Sequence, residues 1–266
     1  AAYGGWTMDD HHPAGFHAVR LHAPATIFHP SPSPYGIPYR SLYSRNVENL
    51  LFAGRDASCT HAAMSSTRVM GTGFTMGQAV GTAAALITKL GGTPRDLNAH
   101  IRLQHTLLAD DCYLPGIRQQ FSLLTQNASL EADGGSPEAV RDGINRPVGS
   151  DLHAWLSHAG EAITYRFPDS RWVRQATLVL DSALDSNIAM SYHQKDDQLR
   201  SLPPQLPKQF RLEGWVDGNW VLLHRINENH RRLVRLAVDM KLEGIRYALE
   251  ETWGSPESRL FAFYVD

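Results

Sequence analysis

Cysteine is nearly absent: Cys59 and Cys112 are the only two in 266 residues. Two thiols make no disulfide framework and lack metal-site spacing, and they leave the redox compartment open. Long apolar runs are missing, and none approaches the ~20 residues that a membrane helix needs. Neither sign of charge is in excess, with 25 Lys and Arg against 27 Asp and Glu and a formal net charge of -2. Such a chain carries no long-range positive field for nucleic acid or an anionic membrane. The opening, Ala1-Ala2-Tyr3-Gly4-Gly5-Trp6, has no basic, apolar leader and reads as a processed product or a fragment. No internal repeat is visible.

What is present suffices for one large domain or two small ones, since 42% of residues are hydrophobic. The texture changes near residue 125. Before it, His29-Pro30-Ser31-Pro32-Ser33-Pro34 should run extended, because each proline disfavours helix in its predecessor. Asn49-Leu50-Leu51-Phe52-Ala53-Gly54 has the pattern of a buried strand stopped by glycine. A helix is expected from Gly73 to Leu90, stopped by Gly91-Gly92, and another from Asp96 to Ala109 with Leu97, Ile101 and Leu108 in its apolar stripe. The join at 126–137, rich in Gly, Ser and Asn, is expected to be a linker between domains at 1–125 and 138–266.

The first helix carries Gly77, Ala79, Gly81, Ala83, Ala84 and Ala85. Interior helical glycines cost about 1 kcal/mol each relative to alanine. Either the helix is buried in a tight bundle, or another backbone or a flat ligand comes very close. Strand, glycine turn, polar loop and helix start make a site for negative charge, a phosphate or the electron-rich edge of a reduced flavin alike. Gly71-Thr72-Gly73 with Gly77 is not the dinucleotide fingerprint, because the third glycine falls one place late and no strand leads into the first.

The ordered runs Ile37-Pro38-Tyr39-Arg40-Ser41-Leu42, Asn46 to Arg55, Ser65 to Met70 and Met76 to Ala84 resemble the C-terminal FAD-binding segment of the FAD-dependent oxidoreductases of the FAD_oxidored type. Gly4-Gly5-Trp6 with Asp9-Asp10-His11-His12-Pro13 resembles that family's substrate-domain stretch. The resemblance spans roughly residues 1–120. It implies an α/β flavoprotein of the glutathione-reductase-like class, with FAD as cofactor and a small organic substrate, which the β-sandwich read further along the chain would make sugar-like by analogy alone. Gly54, Arg55 and Asp56 would lie beside the ribityl and pyrophosphate portion, Arg68 would lead into the turn, and Gly71, Thr72, Gly73 and Phe74 would meet the ring. The family often has proline where this chain has Gly71. Its N-terminal strand–glycine-turn–helix half lies outside these residues, so the chain reads as part of a cofactor site whose other half would be a further partner.

Flavin chemistry on an alcohol or amine uses a base, and histidine suits it. His61 is one candidate; the Asp10, His11 and His12 cluster is the other. Each has a purely structural alternative. The five histidines before residue 30 match no common zinc pattern, so no metal is expected. Cys59 could anchor a flavin, or simply be a small buried thiol.

From 138 onward, short β-like runs at 162–167, 176–180, 210–215, 220–224, 233–238, 245–249 and 260–265 suggest an all-β jelly-roll sandwich. Val216-Asp217-Gly218-Asn219-Trp220 reads as a tight hairpin. Asp142-Gly143, Trp155, Pro207 to Phe210 and Gly244-Ile245-Arg246-Tyr247 resemble discoidin or galactose-binding-like domains. The tryptophans at 155, 172, 215, 220 and 253 either fill the core or stack on sugars, which would make this half a non-catalytic carbohydrate-binding module.

Overall fold

A computed structural model describes residues 1–30, 34–186 and 198–266, with the side chains of 97–101 left aside. The expected extended run at 29–34 and the helix-stripe residues Leu97 and Ile101 therefore fall partly outside the described residues. The chain divides into two compact units, Ala1–Ile117 and Arg118–Asp266.

Unit 1 begins with two small antiparallel pairs. β1 (Ala2–Gly4) pairs with β4 (Tyr35–Ile37), and β2 (Met8–His11) pairs with β3 (Thr26–His29). Three helices follow: α1 (His61–Thr67), α2 (Met70–Leu90) and α3 (Leu97–Ala109). Thr60 caps α1, its Oγ1 accepting from the Ala63 amide at 3.2 Å. Gly91, at φ +77°, closes α2 where the sequence placed its stop. Thr72, Met76, Ala79 and Ala83 form the buried stripe of α2, and Met76, Ala79 and Ala83 share a core with Leu42, Leu103, Leu107 and Leu114.

The tight-bundle reading of the glycines does not hold. A Cβ on Gly77 or Gly81 would meet nothing within 4 Å, and Gly81, Ala84 and Ala85 are exposed. Unit 1 itself does not use the room these residues leave.

Asn49 to Gly54 is a second correction. Among the described residues it forms no ladder, only an isolated bridge from Leu51 to Tyr43, and Leu50 is exposed. The Phe52 amide donates to the Leu42 carbonyl and the Ser44 amide to the Leu50 carbonyl. One edge of the segment is thereby occupied and, among the described residues, no ladder forms on the other, so an apolar run with strand propensity stays irregular.

Unit 2 opens with α4 (Leu123–Asn127), capped by Ser122, and β5 (Ser129–Ala132), so 126–137 includes the end of a helix and a paired strand as well as loop. Ser122 and Thr125 both donate to the Val265 carbonyl, at 2.6 and 2.8 Å, tying α4 to the last strand. The remaining strands are β6 (Trp155–His158), β7 (Ala162–Leu180), β8 (Pro207–Val216), β9 (Asn219–Ile226), β10 (Leu233–Thr252) and β11 (Glu257–Val265). They hydrogen-bond in the order β6-β11-β7-β10-β8-β9, with β5 on β7, all antiparallel.

All seven expected runs lie in strands, but 162–167 and 176–180 are one strand, as are 233–238 and 245–249. Bulges replace the turns that the sequence suggested. In β10 the large buried side chains switch from even (Val234, Leu236, Leu242) to odd (Ile245, Tyr247, Leu249) positions across the register shift at Leu242/Gly244. Gly244 is required there, because a Cβ would stand 2.7 Å from the Tyr165 carbonyl oxygen. The bends fall in β7 and β10, the two longest strands of the seven-stranded sheet. Ile163, Tyr165, Leu178, Phe210, Tyr247 and Phe263 meet in one core. The hairpin turn has Asp217 at φ +47° and Gly218 at φ +79°, the doubly left-handed turn that suits strand twist.

Candidate functional site

The site in unit 1 is organised by β2. Alternation along a strand sends Asp9 and His11 to one side and Asp10 and His12 to the other. On the first side, Asp9 Oδ2 lies 2.8 Å from Arg68 Nη2 and 3.1 Å from His11 Nε2. Arg68 therefore holds the strand to the junction of α1 and α2, and its charge is already met by Asp9. On the second side, His61 Nε2, at the first position of α1, lies 2.9 Å from Asp10 Oδ1 and 2.9 Å from the His11 carbonyl oxygen. His12 takes a different role: its Nδ1 accepts from the Ala14 amide at 3.1 Å and closes a turn. The two candidate bases thus separate into one Asp10–His61 pair, a shared His11, and a structural His12.

A hydroxyl chain braces the opposite flank. Ser66 Oγ donates to the Trp6 carbonyl at 2.6 Å and stands 2.5 Å from the Tyr35 hydroxyl. Gly4 gives the Tyr35 ring its place, since a Cβ there would fall 2.6 Å from that hydroxyl. Thr75 Oγ1 donates to the Tyr3 carbonyl at 3.0 Å, fixing β1 to α2. Asp9, Ser66, Tyr35 and Thr75 were not singled out from the sequence. The Asp9-Asp10 doublet in a strand was the one available signal, because alternation must give its two carboxylates different partners.

Where the backbone could face a cofactor, the helix starts earlier than expected. α2 begins at Met70, so the Gly73 amide is already bonded to the Val69 carbonyl at 3.0 Å. The unspent donors are therefore the amides of Gly71 and Thr72 rather than those of Thr72, Gly73 and Phe74. Val69, the N-cap, offers no side-chain cap. A Cβ on Gly71 would meet nothing within 4 Å, and one on Gly73 would stand 3.7 Å from the Cα of Gly54. Gly54 holds φ +95°, a conformation that favours glycine. The two glycine turns named from the sequence meet backbone to backbone. Phe74 and Met70 are exposed beside them, as are Arg55 and Asp56. Cys59 is exposed rather than buried, 3.8 Å from Thr67 Oγ1.

These residues fit a flat, electron-rich group on the observation that the α2 start is uncapped and bare of side chains at Gly71. Among the described residues no three His, Cys, Asp or Glu side chains gather as a metal site. No helix of the described residues is long and apolar enough to cross a membrane.

In unit 2 the tryptophans divide. Trp155 is fully buried, its Nε1 donating to the Gly134 carbonyl at 2.9 Å. Trp215 and Trp220 meet edge to face at 5.1 Å under the Arg166 guanidinium. Arg246 lies 4.2 Å from the Trp220 ring and 2.6 Å from Glu213, a structural ion pair. Trp253 stacks on His230, and Trp172 is exposed. A cavity of about 550 Å³ is lined by Leu152, Leu156, Asp181, Asp185, Ser258 and Arg259 among others. Arg259 bonds Asp181 at 2.6 Å and Asp185 at 2.9 Å, which holds the Asp185 carboxyl below the usual carboxylate range. Ser258 Oγ is buried there without a hydrogen-bond partner among the described residues.

Comparison with known proteins gives many structural likenesses, of which three are described. The family 32 carbohydrate-binding module of Streptococcus pneumoniae EndoD is 14% identical at a TM-score of 0.41, covering 55% of this chain and 99% of that one. Chitosan-binding module 1 of a chitosanase/glucanase from Paenibacillus sp. IK-5 is 16% identical at 0.38, covering 55% and 99%. The family 32 module of Clostridium perfringens NanJ, solved with galactose, is 9% identical at 0.39, covering 55% and 97%. No curated protein gives a significant match. Residues 1–107, almost the whole of unit 1, match the family described as FAD dependent oxidoreductase.

Proposed function

We propose that unit 1 forms one wall of the FAD site, and the substrate-facing groups, of an oxidoreductase acting on a small organic, sugar-like substrate. When bound, FAD would supply a two-electron acceptor for hydride at flavin N5. This chain's residues do the rest. Gly71 and Thr72 present free amides to developing negative charge, and Gly54 and Gly71 keep side chains out of the approach. Asp10 and His61 handle a proton, and Arg68 with Asp9 fixes β2 beside them.

The observation that carries this reading is the bare, uncapped start of α2 set against Gly54. The half-paired Asn49–Gly54 segment and the open Gly77–Gly81 face also support a further flavin-binding half that packs here. Protein purified from its native source should be yellow and release FAD on denaturation. A colourless preparation, with no flavin released, would overturn the reading.

A second reading places the activity in unit 2 as carbohydrate binding without catalysis. It is favoured by the cavity beside Arg259, where apolar Leu152 and Leu156 adjoin polar Asp181, Asp185 and Ser258. Glycan-array binding by a flavin-free preparation, abolished by Arg259→Ala, would establish it.

A further inference from the structure

We propose that Arg166, held against Trp215 and Trp220 on the outer face of unit 2, binds the carboxylate of an acidic sugar, a uronate. The inference rests neither on the oxidoreductase reading nor on the cavity beside Arg259. One row of cross-strand partners runs Ser129, Arg166, Gly244, Trp215, Trp220, from β5 over β7, β10 and β8 to β9. Tyr165 and Ile245, next along their strands, are fully buried, so alternation turns Arg166 and Trp215 away from the core. Arg166, Trp215 and Trp220 are all partly exposed.

Gly244 sets the geometry. A Cβ there would stand 3.3 Å from Arg166 Cδ and 3.6 Å from Trp215 Cβ. The arginine stem lies over the gap that the missing side chain leaves. Its guanidinium carbon thereby comes 4.8 Å from the Trp215 ring and 4.9 Å from the Trp220 ring.

What this guanidinium lacks is an anion. Glu213 meets Arg246 at 2.6 Å and Arg211 at 3.4 Å, and Glu250 meets Arg211 at 2.6 Å and Arg225 at 2.9 Å. Glu131, opposite Thr164, lies outside ion-pair distance. Among the described residues Arg166 is the cation of this face left without a carboxylate. Stacking uses the faces of a guanidinium, while its N–H donors lie in the plane. The two rings therefore fix Arg166 and leave free a fork that matches the two oxygens of a carboxylate. Arg246, 4.2 Å from the same Trp220 ring, bonds Glu213 through Nε, and its terminal nitrogens have no acceptor among the described residues. They supply donors for a neighbouring hydroxyl.

The indoles select the carrier of the carboxylate. A pyranose presents C–H groups beside its acid group, and these rest on an aromatic surface. An aspartate or glutamate of a peptide brings only a flexible stem. Because the rings order the arginine before the ligand arrives, binding is spared the cost of immobilising that side chain.

The test is calorimetric titration of the full chain with trisaccharides of galacturonate, mannuronate and glucuronate, with their methyl esters, and with triglutamate. At least one uronate should bind, its methyl ester should not, and added salt should weaken the binding. Arg166→Gln should weaken it about tenfold or more, as loss of charge-assisted hydrogen bonds requires. Arg225→Gln removes the same charge from the same face, but from a residue already paired with Glu250, and should bind as wild type does. If Arg166→Gln does not fold, Arg166→Lys keeps the charge without the planar fork and should show the same weakening. The proposal is overturned if no uronate binds, if the ester binds as well as the acid, or if the Arg166 and Arg225 variants lose equally. Triglutamate binding as tightly as the best uronate also overturns it, and would make an acidic peptide the ligand.

Discussion

A Cβ on Gly73 would stand 3.7 Å from the Cα of Gly54, so the turn that ends the Asn49–Gly54 segment meets the first turn of α2 with no side chain between them. That spacing is ordinary van der Waals contact. Gly73→Ala should therefore fold normally and melt no lower than wild type, because an interior helical glycine gives up about 1 kcal/mol to alanine. Gly54→Ala, at φ +95°, should lose about 1–2 kcal/mol through left-handed strain. Urea denaturation followed by circular dichroism separates the two. Equal destabilisation by both would place the constraint elsewhere.

In unit 2, Tyr165 is fully buried and its hydroxyl donates to the Phe263 carbonyl at 2.7 Å across the sandwich core. Burial raises that hydroxyl far above the ordinary tyrosine range. Tyr165→Phe should cost about 1–3 kcal/mol, because it leaves a buried carbonyl unpaired without opening a cavity. Trp155→Ala should cost about 3–5 kcal/mol, since it removes a whole buried indole and the bond to Gly134. Denaturant midpoints for the two variants should keep that order.

Several features were legible because their physics is local. The Asp217-Gly218 hairpin, the stop of α2 at Gly91 and the strand positions of unit 2 follow from turn chemistry and alternation. What escaped depends on the rest of the molecule. The bulge at Leu242/Gly244 joins two runs into β10 because Gly244 fits under the Tyr165 carbonyl, a contact between residues far apart in sequence. Asn49 to Gly54 has a buried strand's pattern, but among the described residues only one of its edges is engaged. His61 and His11 lie 50 positions apart, so their meeting was invisible until β2 and α1 packed.

Acid should weaken unit 2 in part through Asp185 and Glu138. Hydrogen bonds from Arg259 and Arg141 respectively hold both carboxyls below their ordinary values. A depressed folded-state pKa gives stability that is present above the unfolded value and lost as pH falls through the folded one. The difference in melting temperature between wild type and Asp185→Asn should thus be largest above the ordinary carboxylate range and shrink toward zero in strong acid. A difference that is constant with pH would show that the Arg259 contact contributes by packing alone.

The uncapped α2 start can be challenged directly by giving it a cap. Val69 already has the extended backbone of an N-cap, at φ -71° and ψ 149°. In an ordinary helix Val69→Ser or Val69→Asp would bond the first amides and stabilise the fold by about 1 kcal/mol. In the proposed site the same side chains would take the donors that would otherwise face the cofactor. The decisive measurement is FAD retained per chain in natively purified wild type and in the two variants. The account predicts stoichiometric FAD in the wild type and most of it lost in both variants, with melting temperatures held or raised. Full FAD content in the capped variants would contradict it.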